Sequence, residues 1–144
     1  MSIACEDLGR LLVNVCRLHH TRADQSMERI GLYRGQAWLL MIVSKQEGMT
    51  HSEIAEKMRI SPAAATKVIQ RMEQADCLQR RADPADERVS RVYLRDKGRA
   101  LIARISAAFS RLDRAMLDGM PQEDLGRLFD LLTRMQGSLQ AFQA

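Results

Sequence analysis

Two helix starts stand almost back to back in the middle of the chain and leave little freedom for what lies between them. Thr50-His51-Ser52-Glu53 has the S/T-x-x-E form of a capping box, in which the Thr hydroxyl and the Glu carboxylate each satisfy an orphan amide at a helix start. Shortly after comes Ser61-Pro62, where serine is a favoured N-cap and proline at the first helical position gives up no hydrogen bond. The first helix must therefore be short, with Ile54, Ala55 and Met58 as its apolar edge and Arg59-Ile60 at its end. The second runs through Val68, Ile69 and Met72 to Ala75 or near it. The spacing predicts two short helices joined by a tight turn.

The flanks are also helical in pattern. Apolar residues at 8, 11, 12, 15 and 18 make the stripe of an amphipathic helix from near Glu6 to Arg29, and a break follows at Gly31 to Gly35. Gln36 to Glu47 contains Ala37-Trp38-Leu39-Leu40-Met41-Ile42-Val43, apolar nearly all round and so placed at the centre of the fold, with Gly48 ending it. After Asp76 the texture changes: Cys77 to Arg81 and Arg88 to Leu94 read as strands around the turn-forming Asp83-Pro84-Ala85-Asp86, the one hairpin signal in the chain. Helical period returns from Asp96 through Leu101, Ile105, Phe109 and Met116 and stops at Asp118-Gly119. Pro121 and Glu123 open a last helix striped with Leu125, Leu128, Phe129, Leu132, Met135, Leu139 and Phe142. With only six aromatic residues and three prolines, an all-β fold is excluded and a mainly α chain with one small β-hairpin is expected.

A length of 144 residues with 46% apolar and 28% charged residues suits one domain with its own core. The longest apolar run, Ala37 to Val43, is far short of the roughly 20 residues that span a bilayer, so no membrane partner is expected. The N-terminus lacks the basic start and apolar stretch of a signal peptide, so a cytoplasmic location is expected. Cysteines at 5, 16 and 77 match neither a disulfide framework nor a CxxC pair and read as reduced thiols.

The charge is unevenly placed. Residues 57–104 hold twelve basic and six acidic groups, an excess of +6, while the remainder carries −2 against the formal total of +4. A polyanion is the natural partner of such a region, because binding releases its counterions; a solvated basic face is the plainer alternative. The order of elements favours the former. A capped helix, a three-residue turn, a second capped helix and an arginine-bearing hairpin is the order of a winged helix-turn-helix, whose second helix enters the major groove.

The run Thr50 to Met58, then Ser61 to Arg71, Leu78, Arg81, Asp83-Pro84, Asp86-Glu87-Arg88, Val92, Leu94 and Gly98 resembles the MarR family of bacterial transcription regulators. The likeness extends over nearly the whole chain and includes the Asp-x-Arg of the wing at 86 to 88. It implies a homodimer in which the N-terminal and last two helices of both subunits interleave, with two winged lobes on a pseudo-palindromic operator of double-stranded DNA. The implied division is one domain over 1–144, with a DNA-binding lobe at 36–95 and dimerisation helices at 1–30 and 96–144. The apolar stripes at both ends of the chain agree, since they exceed what one small lobe can cover.

On the second helix, Val68, Ile69 and Met72 face inward, which turns Ala63, Ala64, Thr66, Lys67, Gln70 and Arg71 toward the groove, beside the N-cap Ser61. Lys67 can donate to guanine, Gln70 can pair with adenine and Thr66 can reach a phosphate or a base. Pro62-Ala63-Ala64-Ala65 offers almost no hydrogen bonds, so readout there is by thymine methyls or shape. Arg88 at the wing tip suits the electronegative minor groove of A/T-rich DNA, and Asp86 is expected to orient the turn and pair with an arginine.

The resemblance further implies a repressor released by a small aromatic or phenolic acid, for which Arg17, His20, Trp38 and Met41 are the candidate lining residues; Trp38 and Met41, in the most apolar segment, read more readily as plain core. A thiol switch at Cys16, one turn from His20, is an alternative, set against a buried structural cysteine. Cys16, His19 and His20 lack the spacing of a metal site, so no metal or cofactor is expected. No catalytic order of Ser, His and Asp, phosphate-cradling loop or HExxH motif is present, so an enzyme is not expected. A helical dimer adaptor that does not bind DNA would keep the apolar stripes without needing the basic wing.

Overall fold

The computed structural model describes residues 3–143; the outermost residues of the expected flanking segments, 1–2 and 144, lie outside them. The elements in order are α1 (Cys5–Glu28), α2 (Arg34–Lys45), β1 (Met49–Thr50), α3 (His51–Met58), α4 (Pro62–Gln74), β2 (Leu78–Ala82), β3 (Ser90–Leu94), α5 (Asp96–Met116) and α6 (Gln122–Ala141). The helix starts follow the capping chemistry. Thr50 Oγ1 accepts from the Glu53 amide at 3.2 Å, and the Thr50 amide donates back to Glu53 Oε2 at 2.7 Å. Ser61 Oγ accepts from the Ala64 amide at 3.1 Å, with Pro62 in the first turn. Between the two helices Arg59 takes a left-handed conformation (φ 55°), and the Ile60 amide turns back to the Ala55 carbonyl at 3.1 Å.

The sheet has three strands, not the expected two. β3 is central, antiparallel to β2 through Leu78↔Leu94 and Arg80↔Val92, and antiparallel to β1 through Met49↔Val92 and Thr50↔Arg91. β1 is two residues long, too short to show alternation, and it exists because β3 offers a free edge to the segment that leads into α3.

The chain divides into two compact units, one up to Ser110 and one from Arg111. In the first, Leu39, Leu40 and Val43 of α2 are buried with Met27, Ile54, Ile69, Met72, Leu78, Val92 and Ile105 in one core. α1 contributes only Ala23 and Met27 to the interior; Leu8, Leu11, Val15 and Leu18 are exposed. In the second unit, no residue of α6 is buried, and Phe129 (71% exposed), Leu132, Leu139 and Phe142 (72%) face outward. Cys77 is buried, but Cys5 and Cys16 are exposed. The expectation of a buried Cys16 is corrected: α1 buries only Ala23 and Met27, both more than a turn beyond Cys16, and nothing in its unit covers the segment that carries this thiol.

Gly98 fixes where α5 leaves the sheet. An added Cβ would overlap the Cys77 carbonyl oxygen and stand 3.1 Å from Leu94 Cδ2. Gly98→Ala is expected to destabilise the fold by about 1–3 kcal/mol, the range for forcing a methyl into packed surroundings. Urea denaturation at unchanged m-value measures it.

Candidate nucleic-acid interface

α4 divides its residues by the demands of the core. Ala65, Ile69 and Met72 are buried and Val68 is half-buried, so Ala63, Ala64, Lys67, Gln70 and Arg71 are exposed, and Ser61 stands exposed at the N-cap. Ala63, Ala64, Lys67, Gln70 and Arg71 thus share the exposed side of one helix, whereas Thr66, expected beside them, does not; Ala65, in the same first turn, belongs to the interior. Thr66 is half-buried, with Oγ1 3.4 Å from His51 Nδ1, an interaction that ties the first turn of α3 to α4. Nothing in the sequence pairs this histidine with Thr66, fifteen residues away. Its Nε2 is buried without a hydrogen-bond partner, and burial, helped by the nearby Arg80 guanidinium and opposed by Glu73, holds its pKa below the usual value of 6.5.

The wing is the loop between β2 and β3. Arg88 is exposed at its tip, and its amide donates to Asp86 Oδ1 at 3.0 Å, a bond within the turn. The expected arginine pairing falls to a different carboxylate. Asp83 accepts from Arg91 Nε and from the Ala85 amide at 2.7 Å, and these bonds hold its carboxyl below the usual carboxylate range. Asp83 is named by the turn pattern in the sequence, but nothing there reveals that β3 returns Arg91 beside it.

Ion pairing separates the cations of residues 57–104. Arg80 pairs with Glu73 at 2.8 Å, Arg95 with Asp76 at 3.0 Å, Arg99 with Glu47 at 2.8 Å and Arg91 with Asp83. Among the described residues Lys67, Arg71 and Arg88 have no acidic partner within ion-pair distance, which leaves their charge available to an external anion.

None of the four candidate ligand residues lines the hollow described below. Arg17 and His20 are exposed on α1, Met41 is half-buried, and Trp38 is 52% exposed, so Trp38 is not the core residue its apolar neighbours suggest. A hollow of about 400 Å³ lies elsewhere in the first unit, beside β3 and the start of α5, and is lined by Glu47, Arg81, Tyr93, Arg95, Asp96 and Arg99 among others. In it Arg81 stacks over the Tyr93 ring at 4.8 Å. No group of three or more His, Cys, Asp or Glu side chains is placed to hold a metal among the described residues. No helix among them is long and apolar enough to cross a membrane.

Residues 32–90 match the family model described as MarR family. The chain is 27% identical over 114 residues to the uncharacterized HTH-type transcriptional regulator YdgJ of Bacillus subtilis, covering 79% of this chain and 70% of that protein. It is 29% identical over 101 residues to the HTH-type transcriptional repressor MdtR of the same organism, covering 70% and 65%. Among solved structures it is similar to a MarR-like transcription regulator from Bacillus cereus, with a TM-score of 0.80 at 24% identity over 93% of this chain and 96% of that one. A MepR variant of S. aureus bound to an oligodeoxyribonucleotide superposes with a TM-score of 0.66 at 20% identity, over 96% and 99%. These structural likenesses establish the winged-helix fold.

The depressed pKa of His51 has a consequence for stability. Between its lowered folded value and the unfolded value near 6.5, the unfolded chain binds the extra proton, so stability is full above that window and is lost as pH falls through it. Denaturation measured from pH 7.5 to 5 is expected to show this slope, and His51→Gln to flatten it. An equal slope in both proteins would show that other groups carry the pH dependence.

Proposed function

We propose that this protein, whose residues 32–90 are a MarR-family domain, is a homodimeric transcription regulator that reads a pseudo-palindromic double-stranded operator. The reading rests on one observation: α4 turns an unpaired cationic and amide-bearing side outward while the wing presents an unpaired arginine at its tip. A helix of this exposure suits the major groove, and a guanidinium on a narrow loop suits the minor groove. Lys67 and Gln70 are assigned to base edges, Ser61, Thr66 and Arg71 to phosphates or groove edges, Ala63 and Ala64 to thymine methyls, and Arg88 to the minor groove with Asp86 holding its loop.

The lobe at 36–95 is assigned to DNA, and the helices at 1–30 and 96–144 to the dimer. Leu8, Leu11, Val15 and Leu18 on α1, and Phe129, Leu132 and Leu139 on α6 with Phe142 just beyond it, each form an uncovered apolar face within their own unit. A second copy covers such faces at no cost in new sequence, and half-sites on DNA then repeat with the protein's two-fold axis. Sedimentation velocity at micromolar concentration is expected to give a species of twice the chain mass; a monomer would overturn the dimer.

Repression is the direction proposed, by likeness to a relative that is named a repressor. Release by a small aromatic acid is assigned to Arg17 and His20 on α1 with Trp38 and Met41 on α2, where exposed cationic and polar groups stand on one helix and a half-exposed indole on another. Calorimetry with salicylate-like acids tests it, and absence of heat removes this ligand class.

For the DNA contact itself, Arg88→Ala is expected to weaken binding to the cognate duplex by at least about five-fold, as loss of a groove arginine does, with the circular-dichroism spectrum unchanged. A gel-shift titration measures it, and wild-type affinity would remove the wing from the interface.

A further inference from the structure

The wing is fastened at its root to the head of the helix pair. Asp83 is the buried charged residue of the described structure, 9% exposed. Besides its bonds from Ala85 and Arg91, its amide donates to the Val89 carbonyl at 2.8 Å, and the Val89 amide donates to the Asp86 carbonyl at 2.9 Å. With the Arg88 amide on Asp86, the loop is hydrogen-bonded from base to tip. Arg91 makes a further bond that leaves the wing: Nη1 donates to the Gly48 carbonyl at 2.7 Å. Gly48 directly precedes β1, whose Thr50 caps α3, and its own amide donates to the Val92 carbonyl at 2.8 Å. Its φ of +82° reserves the position for glycine.

We propose that Arg91 is a positioning residue for DNA recognition: by joining Asp83 at the wing root to the Gly48 carbonyl ahead of α3, it sets where Arg88 stands relative to α4. The inference rests on the DNA contact proposed for Arg88. Arg91 does not serve as a free phosphate contact, because its charge is already spent on Asp83. Its guanidinium offers two donors in a fixed fork, one to each segment, which a lysine ammonium on a flexible stem cannot reproduce. A wing released from this tie must be ordered at the moment of binding, and that ordering subtracts from the affinity Arg88 supplies.

The experiment combines two measurements on wild type, Arg88→Ala, Arg91→Lys and the double variant. Arg91→Lys keeps a cation beside buried Asp83, so it avoids the unpaired charge that alanine would leave. In the DNA-free protein, hydrogen exchange at the wing amides of Ala85 and Arg88 is expected to accelerate in Arg91→Lys while α2 stays protected; unchanged wing exchange overturns the inference. On a duplex enriched from random sequence by the wild-type protein, Arg91→Lys is expected to lose affinity, and the double variant to lose no more than Arg88→Ala alone, since both changes remove one contact. Losses that multiply in the double variant overturn the inference, because Arg91 would then act independently of Arg88. Wild-type affinity in Arg88→Ala would instead overturn the wing's assignment to DNA, an outcome separable from the other two.

Discussion

α2 places Ala37, Leu39, Leu40 and Val43 in the interior, and a helix buried on so many sides is stable in water only if other elements enclose it. α1, α3, α4 and β3 all pack on it, bringing Met27, Ile54, Ile69, Met72 and Val92 into the same core. Each large side chain so buried contributes about 1.5–3 kcal/mol, whereas one helix cap contributes about 1 kcal/mol. Capping therefore decides where α3 and α4 begin, but packing on α2 decides how they are rotated. Because Ala65, Ile69 and Met72 are committed to the core, Lys67, Gln70 and Arg71 have no direction left but outward. The surface proposed for DNA is in this sense the remainder of a packing problem.

Helix starts were legible because capping is local: Thr50, Glu53, Ser61 and Pro62 announce themselves within a few residues of the amides they serve. The wing strands were legible within two residues at each boundary, because their turn signals are local too. What was not legible involves segments distant in sequence. β1 is a two-residue strand defined by its partner Val92 and not by any alternation of its own. The arginine partner of the wing carboxylates is settled by strand register, which sets Arg91 near Asp83 and Gly48 and leaves Asp86 to the loop. His51 is an ordinary polar residue in the first turn of a helix until α4 closes over it.

Periodicity has a related limit at Cys16 and Trp38. A stripe of apolar residues shows which side chains share a helix face, not whether that face is covered by the same chain. The α1 stripe is a real helix face, yet Leu11 and Leu18 are exposed, as is Cys16. Trp38 lies in the most apolar segment of the sequence, and α2 still turns it away from the core occupied by Leu39 and Leu40. Exposed apolar area of this extent is uncommon on an isolated soluble chain, so the unburied side chains carry information about assembly that the buried ones do not.

The basic excess also changes meaning once the side chains are placed. Four of the twelve cations in residues 57–104 are held by carboxylates. Three of these pairs are substantially exposed, and exposed pairs stabilise by roughly 0–1 kcal/mol, so Arg80, Arg95 and Arg99 can exchange a carboxylate for a phosphate at small cost. Arg91 cannot, because its partner Asp83 is enclosed and losing the cation would strand a buried charge. Charge alone would therefore give this surface affinity for any duplex and little preference among sequences. Preference has to come from the narrow set of groups that point outward from α4, and its first turn offers methyl groups where hydrogen-bonding side chains could stand. Ala63 and Ala64 can distinguish a thymine methyl or a groove width but not a donor from an acceptor. On the proposed reading, the discriminating hydrogen bonds fall to Lys67 and Gln70, the exposed side chains of α4 that can address base edges as donor or acceptor.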